Sequence, residues 1–456
     1  MKSVNVHFLG ASGTVTGSKY IIETANHNIM IDCGMFQGQK ELRALNWENL
    51  PFNVESIDVI LLTHGHLDHV GYLPRIVKQG FKGKIISTEP TLEIAKIILR
   101  DSGKINEEDA ERANKEEFTQ HNPAKPFYTV KDAETTIKQM VSSPCDQWYF
   151  VNNSIKYKFN YNGHILGATF IEIVINSKVF VFSGDVGRTH DFLLKSPNKP
   201  QKADYLFLES TYGDTLHSSE SVSKKLVSLV YQTINNRGNL IIPSFAVERL
   251  QTLMYILWKL YKKNKIPNIP IFIDSPMGNN VLSLFERFPK WHKIPLHEFK
   301  AMQNRMTIIT SYGDTWKTID DPRPKIVIAG SGMVTGGRVL TYLKQLIGNV
   351  NTTILLVGYQ AQGTRGRQLL DGEKSVKFFG KWHEVKAKVE HIESLSAHAD
   401  QAELLAWLSA VENKPTKTFL VHGEALPIQV LKQKIESAYQ WQVVVPKLNE
   451  VIRLEV

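Results

Sequence analysis

The stretch VILLTHGHLDHVGYLP, residues 59–74, decides how the rest of the chain is read. Val59 to Leu62, extended by the apolar side of Thr63, form a short continuous apolar run, the pattern of a buried strand. That run meets His64, His66, Asp68 and His69 within six positions. Alternate residues of an extended segment share a face, so His64 and His66 point the same way from the end of the strand. Asp68 and His69 follow where the chain turns into the helical pattern VGYLPRIV. A lone histidine on an apolar face is usually a satisfied core residue. Four imidazole and carboxylate groups packed this closely are not explained that way, and the donor set suits zinc.

The chain around this stretch has room for a large core. It has 456 residues, 42% of them hydrophobic and 22% charged, and no low-complexity tract, so disorder is excluded and two or three domains are expected. No apolar run is long enough to span a bilayer. The N-terminus MKSVNVHFLGASG lacks the apolar core of a signal peptide and reads as a first strand. Cys33 and Cys145 form no metal-spaced pair, which fits a reduced, cytoplasmic protein without a disulfide framework. The formal charge of +9 favours polyanionic partners but is scattered, with no basic tail.

From residue 1 to 208 short apolar or alternating runs recur between turn signals, among them VNVHFLG, SKYIIET, HNIMIDCG, KVFVFSGD and ADYLFLES. Helical patterns are fewer: one after Asp68, one in TLEIAKIILRDSGKI and a charged one from Asn106 to Thr119. Many strands with few helices between them predict stacked sheets flanked by helices. From about 220 to 385 helix and strand patterns alternate, as in a parallel α/β domain. After 385 strands and short helices return. The reading is a first domain in two pieces, 1–208 and 386–456, interrupted by an α/β domain over 209–385.

The four groups after Leu62 cannot close a two-metal site alone. His164 in NGHILGAT, Asp185 in FVFSGDVG and His422 in TFLVHGE share one grammar: a strand, then His or Asp, beside a glycine turn. That places them on the same rim as His64. The order IDCG, HGHLDH, GHILGA, SGDVG resembles the metallo-β-lactamase superfamily. LESTYGD, SLSAHAD and FLVHGE resemble its nucleic-acid-processing branch, the β-CASP family, which includes cleavage-and-polyadenylation endonuclease subunits and ribonuclease J. The resemblance covers essentially the whole chain, and its short form is most similar to bacterial single-chain members.

The resemblance implies an α/β fold, an αββα sandwich with an inserted parallel α/β β-CASP domain. It implies two zinc ions, one held by His64, His66 and His164, the other by Asp68, His69 and His422, with Asp185 bridging both. Manganese as a substitute stays open. Asp32 in IDCG is expected to orient a ligand histidine through a hydrogen bond, with a plain turn residue as the other reading. The implied activity is a zinc-dependent ribonuclease, in which a two-metal bridging hydroxide attacks phosphorus and leaves 5′-phosphate and 3′-hydroxyl ends. His398 is the expected general acid or phosphate clamp, and Glu209 its orienting carboxylate. Asp68, Asp185 and Asp32 complete the catalytic set.

Two glycine-rich segments, IAGSGMVTGGRVL (328–340) and VGYQAQGTRGRQLLDG (357–372), resemble family segments that line the nucleic-acid groove, as does PSFAVERLQ (243–251). They make Ser244, Arg249, Ser331, Gly332, Arg338, Gly363, Thr364, Arg365 and Arg367 the candidate RNA-binding residues. Tyr212, Phe245 and Tyr359 are candidates for stacking on bases, or for packing. From composition alone, a tight strand-to-helix turn explains the glycines as well. RNA is favoured over DNA because histidine at the last motif accompanies RNA-processing members of the family. RNA is the expected partner, with no membrane and no small-molecule cofactor, and a homodimer stays open. Two alternatives remain: a small-molecule metallohydrolase of lactamase or thioesterase type, and a non-catalytic zinc-binding scaffold subunit that holds RNA.

Overall fold

The computed structural model of the chain describes residues 3–116, 123–218 and 220–456. The chain divides into two compact units, one of residues 1–190, 196–216 and 398–456, the other of 191–195 and 217–397. These breaks lie 8 and 12 residues beyond those drawn from sequence (216 against 208, 397 against 385), and backbone pairing explains both. Past the strand Tyr205–Glu209, the Ser210 N–H donates to His422 O at 3.1 Å and its hydroxyl to Val421 O at 2.8 Å, which keeps the segment with the first unit. Strand Lys388–Ile392, read from sequence as part of the first domain, instead pairs in parallel with Thr352–Val357 as an edge strand of the second unit.

The first unit has two seven-stranded sheets. One runs Glu450–Glu455, Ser3–Phe8, Tyr20–Glu23, Asn28–Ile31, Val59–Leu61, Lys84–Ser87, Met140–Ser142. The other runs Val443–Val444, Lys417–Val421, Tyr205–Glu209, Lys178–Phe182, Thr169–Ile175, Ile155–Tyr161, Tyr149–Asn152. Alternation sends Val4, Val6, Phe8, Tyr20 and Ile22 from the first sheet into one core with Phe159, Ile171, Phe182, Phe207 and Phe419 from the second. Phe182, Phe207 and Phe419 stand in register on three adjacent parallel strands and stack at centroid distances of 4.1 and 4.8 Å. The opposite face of the second sheet, with Val181, Leu206, Leu208 and Leu420, packs on Leu404, Trp407, Ile428 and Leu431 of helices Gln401–Leu408 and Ala425–Tyr439. Helices Leu73–Lys78 and Glu89–Glu116 accompany the first sheet and bury Leu73, Ile76, Leu92, Ala95 and Leu99. This is the expected αββα sandwich.

The two helical patterns read over 91–105 and 106–119 are one helix, Glu89–Glu116, within the described residues; 117–119 lie outside them. Gly103 sits where this helix meets another backbone: a Cβ there would lie 3.0 Å from Val130 N.

The second unit is a six-stranded parallel sheet in the order Thr307–Ile308, Ile271–Asp274, Lys325–Ala329, Asn239–Pro243, Thr352–Val357, Lys388–Ile392. Its central strands are nearly continuous apolar runs, as burial on both faces requires. Ser221, Ser275, Ser311 and Thr364 cap the helices that follow them. Among the described residues, no helix is long and apolar enough to cross a membrane.

Candidate metal centre and active site

Strand ends of both sheets of the first unit build the site. Asp32 follows Ile31, His64 follows Val59–Leu61, His164 follows Ile155–Tyr161, Asp185 follows Lys178–Phe182, Glu209 ends its own strand and His422 follows Lys417–Val421. The two sheets are tied at this rim by Thr169, whose N–H donates to Thr63 O at 2.9 Å. Asp32 and His422 both turn off their strands in the left-handed region, at φ 55° and 49°, which non-glycine residues seldom occupy.

The seven expected ligand residues come together in two groups. Donor atoms of His64, His66, His164 and Asp185 lie within 4.8 Å of one another, as do those of Asp68, His69 and His422. Asp185 faces both: Oδ2 is 3.4 Å from the Nε2 atoms of His64 and His164, and Oδ1 is 3.3 Å from His69 Nε2 and 3.6 Å from His422 Nδ1. Within the groups His64 Nε2 is 3.1 Å from His66 Nδ1, and His69 Nε2 is 3.3 Å from His422 Nε2. Asp68 Oδ2 is 3.3 Å from His422 Nε2.

The outward nitrogens of these rings are fixed by hydrogen bonds. Asp32 Oδ2 accepts from His69 Nδ1 at 2.8 Å and from the Thr63 hydroxyl at 2.8 Å, while Thr63 N–H donates to Asp32 Oδ1. Having donated its proton, Thr63 Oγ1 accepts from His64 Nδ1 at 3.1 Å. One carboxylate thus fixes the outward nitrogens of two ligands and turns both Nε2 atoms toward the site. Thr211 does the same for His422: its hydroxyl donates to His422 O at 3.2 Å and accepts from Nδ1 at 3.1 Å. Asn162 donates to Ser183 O at 2.7 Å and Asp185 O at 2.6 Å, which clamps the loop that carries Asp185. Sequence reading missed Thr63, Thr211 and Asn162. Their signal was a small polar residue at a strand end, too common to single out.

Electron-rich atoms facing one another at this range need a cation between them. Burial holds His64 down at about 3 and His66 at about 4, so both are neutral with lone pairs free to bind. His164 is lowered well below the ordinary value, also by burial. Burial pulls His69 down as well, but the carboxylates of Asp185, Asp32 and Asp68 outweigh it and raise the ring well above its ordinary value. That half of the site draws in positive charge. Asp185 Oδ1 is buried with no hydrogen-bond partner. Nitrogen and carboxylate donors, an orphaned acceptor and fixed tautomers fit metal binding.

Beside this set, His398 Nδ1 is 3.2 Å from both oxygens of Glu209, and His398 Nε2 is 3.9 Å from Asp185 Oδ2. Glu209 is fully buried and also accepts from Val186 N–H at 2.6 Å and Thr211 N–H at 3.3 Å. Burial lowers the His398 ring, yet Glu209 and then Asp185 outweigh it and hold it at about 9, so it is a cation at neutral pH. Asp400, two residues on, caps the helix Gln401–Leu408 by accepting from Glu403 N–H at 2.9 Å. The N-cap of that helix is thus Asp400, and His398 takes no part in it.

The candidate RNA-binding residues belong to the second unit and lie near the carboxyl ends of its parallel strands, where open α/β sheets take ligands. Their arginines are engaged within the unit. Arg249 donates to Val357 O at 2.7 Å, and Arg338 donates to Thr315 Oγ1 at 2.6 Å and stacks 3.6 Å over Tyr312. Arg365 holds Lys377 O at 2.6 Å and Thr335 O at 3.0 Å, and Arg367 pairs with Asp371 at 2.9 Å. Ser331 Oγ accepts from Thr335 and Gly336 N–H, Thr364 caps its helix, and the Ser244 hydroxyl donates to Phe245 O. Gly332 lies against Phe245, where a Cβ would be 2.7 Å from the ring, and Gly363 takes φ 78°. Phe245 is 38% and Tyr359 48% exposed, so these rings present open faces.

A ribonuclease of Thermus thermophilus is 31% identical over 422 residues, spanning 91% of this chain and 92% of its own. The chain belongs to the β-CASP branch of the metallo-β-lactamase superfamily. The profile of the metallo-beta-lactamase superfamily matches residues 13–123, that of the Beta-Casp domain 250–369, and that of a Zn-dependent metallo-hydrolase RNA specificity domain 382–446. The last of these contains His398 and His422. An RNase J-like protein of Methanocaldococcus jannaschii is 29% identical over 432 residues, covering 92% of this chain and 93% of that one. A crystal structure of a protein of unknown function from Enterococcus faecalis shares the β-CASP chain's fold with a TM-score of 0.57 at 14% identity, covering 99% of this chain and 100% of that one.

Proposed function

We propose that this β-CASP protein is a metal-dependent ribonuclease that hydrolyses RNA phosphodiester bonds to 5′-phosphate and 3′-hydroxyl ends. The observation that carries the reading is the His398–Glu209 pair set against Asp185, the one residue that faces both donor groups. His64, His66 and His164 hold one zinc ion, Asp68, His69 and His422 a second, and Asp185 reaches both. Bound there, the ions supply Lewis acidity, which lowers the pKa of water and offsets phosphate charge.

The chain's own groups do the rest. Asp32, Thr63 and Thr211 engage the outward ring nitrogens and so aim the Nε2 atoms of His69, His64 and His422 into the site. Asn162 and the Ser183 hydroxyl, which accepts from Glu209 N–H at 2.9 Å, hold the Asp185 loop against the strand that bears Glu209. Cleavage of the P–O3′ bond leaves an oxygen that must take a proton. His398 has one to give at Nε2, because Glu209 occupies Nδ1 and keeps the ring cationic. The names of the two full-length relatives, ribonuclease and RNase J-like protein, support RNA as the substrate. The exposed rings of Phe245 and Tyr359 support single-stranded RNA, since base stacking tolerates any sequence.

Digestion of an end-labelled RNA, with metal analysis on the same preparation, tests this. About two zinc ions per chain and products with 5′-phosphates are expected. No cleavage by protein that holds both ions would refute the assignment, and turnover of a chromogenic lactam without RNA cleavage would move it to small-molecule hydrolysis.

A further inference from the structure

Lys19 is 1% exposed and lies outside every group assigned above. Lysine is almost never buried this deeply without a purpose for its charge. Its ammonium donates to Gly17 O at 3.1 Å and to Gly34 O at 2.6 Å, and lies 4.3 Å from the ring centre of Phe36 and 5.1 Å from that of Tyr72. Those two carbonyls belong to loops far apart in sequence. Each loop grips the backbone of one ligand. Ser18 N–H donates to Asp68 O at 2.8 Å, and Cys33 N–H donates to His69 O at 2.7 Å. Gly34 N–H closes the pair by donating to Ser18 O at 2.9 Å. Gly34 has no room for a side chain: a Cβ would sit 1.6 Å from Asp68 O.

We infer that Lys19 is a positioning residue for the second metal ion: its ammonium locks the 16–19 and 32–35 loops together, and through them fixes Asp68 and His69. The inference rests on the proposed reading that Asp68, His69 and His422 hold an ion. A side chain needed only for stability would affect both donor groups alike. The direct backbone bonds of Lys19's loops go to Asp68 and His69, whereas the first group is reached only indirectly, from Asp32 through Thr63 to His64. Burial lowers its pKa to about 8, which still leaves the ammonium charged at neutral pH. The aromatic faces and the two carbonyls compensate the charge that burial strips of water.

Zinc titration of metal-free protein followed by native mass spectrometry reads the two binding steps separately. In Lys19→Met, which keeps the length of the side chain and loses its donors, the second step should weaken tenfold or more while the first stays within about twofold. Lys19→Gln, which retains one amide donor, should fall between. Hydrogen exchange on the metal-free proteins should show faster exchange at Ser18 and Cys33 with no change at the Asn162 or Val186 amides. Equal weakening of both steps, or no change in either, would overturn the inference. Should Lys19→Met not fold, Lys19→Gln decides the same question by the same two measurements. A parent protein that binds fewer than two ions would instead sink the two-ion reading on which the inference stands.

Discussion

Glu209→Gln separates an orienting carboxylate from one that tunes charge. Both Glu209 oxygens lie 3.2 Å from His398 Nδ1, and Glu209 is 0% exposed, so solvent screens the pair little. Charges centred about 4 Å apart interact by ~4 kcal/mol at an effective dielectric near 20, which is about three pKa units. Glutamine keeps the shape and an acceptor for Nδ1–H but removes that charge. His398, held at about 9 in the parent, should then fall to roughly 6–7, where burial and the remaining Asp185 charge balance.

The assay is kcat on a short RNA from pH 5.5 to 10, parent against variant, both loaded with zinc. If cationic His398 donates the proton, the rate falls as pH rises through its pKa. Bound cations lower that limb in both proteins, so the displacement between them is the readout. The descending limb should move at least two pH units toward acid. At the acid end the variant should retain about a tenth of the parent rate or more, because His398 is protonated there in both. Stability gives a second reading with a definite sign. A folded-state pKa above the ordinary 6.5 stabilises the fold fully below 6.5, and that contribution is lost as pH rises through about 9. The metal-free variant should therefore be less stable than the metal-free parent at pH 6, with the gap narrowing by pH 10. A uniform rate loss at every pH, with the limb unmoved, would refute the charge argument and leave Glu209 as a brace.

Asp32→Asn should weaken zinc binding by about 10–100-fold in competition with a chelator, since it removes the charged acceptor for His69 Nδ1 and Thr63 together. Thr63→Val should cost less, because it frees only the His64 tautomer. His69→Ala should abolish cleavage and lower zinc content toward one ion per chain while an RNA filter-binding signal persists. Phe207→Ala, at the centre of the three-ring ladder, should lower unfolding stability in guanidinium by about 3–5 kcal/mol.

The ligand set was legible because its chemistry is local. His64, His66, Asp68 and His69 fall within six residues, and His164, Asp185 and His422 each follow a strand pattern beside glycine. The strands that build the sandwich were legible for the same reason: short apolar or alternating runs recur between turn signals along the first unit. The break near 385 was not. Nothing in KAKVEHIESL says which sheet its strand will join, and the parallel pairing Leu355↔Glu390 joins positions 35 residues apart. The supporting groups were hidden by a different limit. Thr63, Thr211 and Asn162 act through partners 31, 211 and 21 residues away, so their role exists only once the chain has folded. The arginines of the glycine-rich segments mark a limit of composition, which reports a charge but not where it is spent. Arg338 is spent on Thr315 and Tyr312 and Arg365 on Lys377 O, within the second unit.

These facts bear on why such a site is stable before it binds anything. Seven electron-rich groups gathered at 3–4 Å repel one another, and an isolated helix or loop would disperse them. Here they cannot disperse, because four strand ends from two sheets carry them and the sheets are joined by a close-packed aromatic core. Part of the stored repulsion is relieved by a proton on His69, whose pKa the three surrounding carboxylates raise. A divalent ion does the same work better, and it must displace that proton to bind. Zinc binding should accordingly release protons at neutral pH, and acid should strip the ion from the Asp68–His69–His422 group before the His64–His66–His164 group, whose imidazoles are already neutral. Stepwise acidification with native mass spectrometry would show the order, and loss of both ions at one pH would show that the two groups are not the separate electrostatic environments described here.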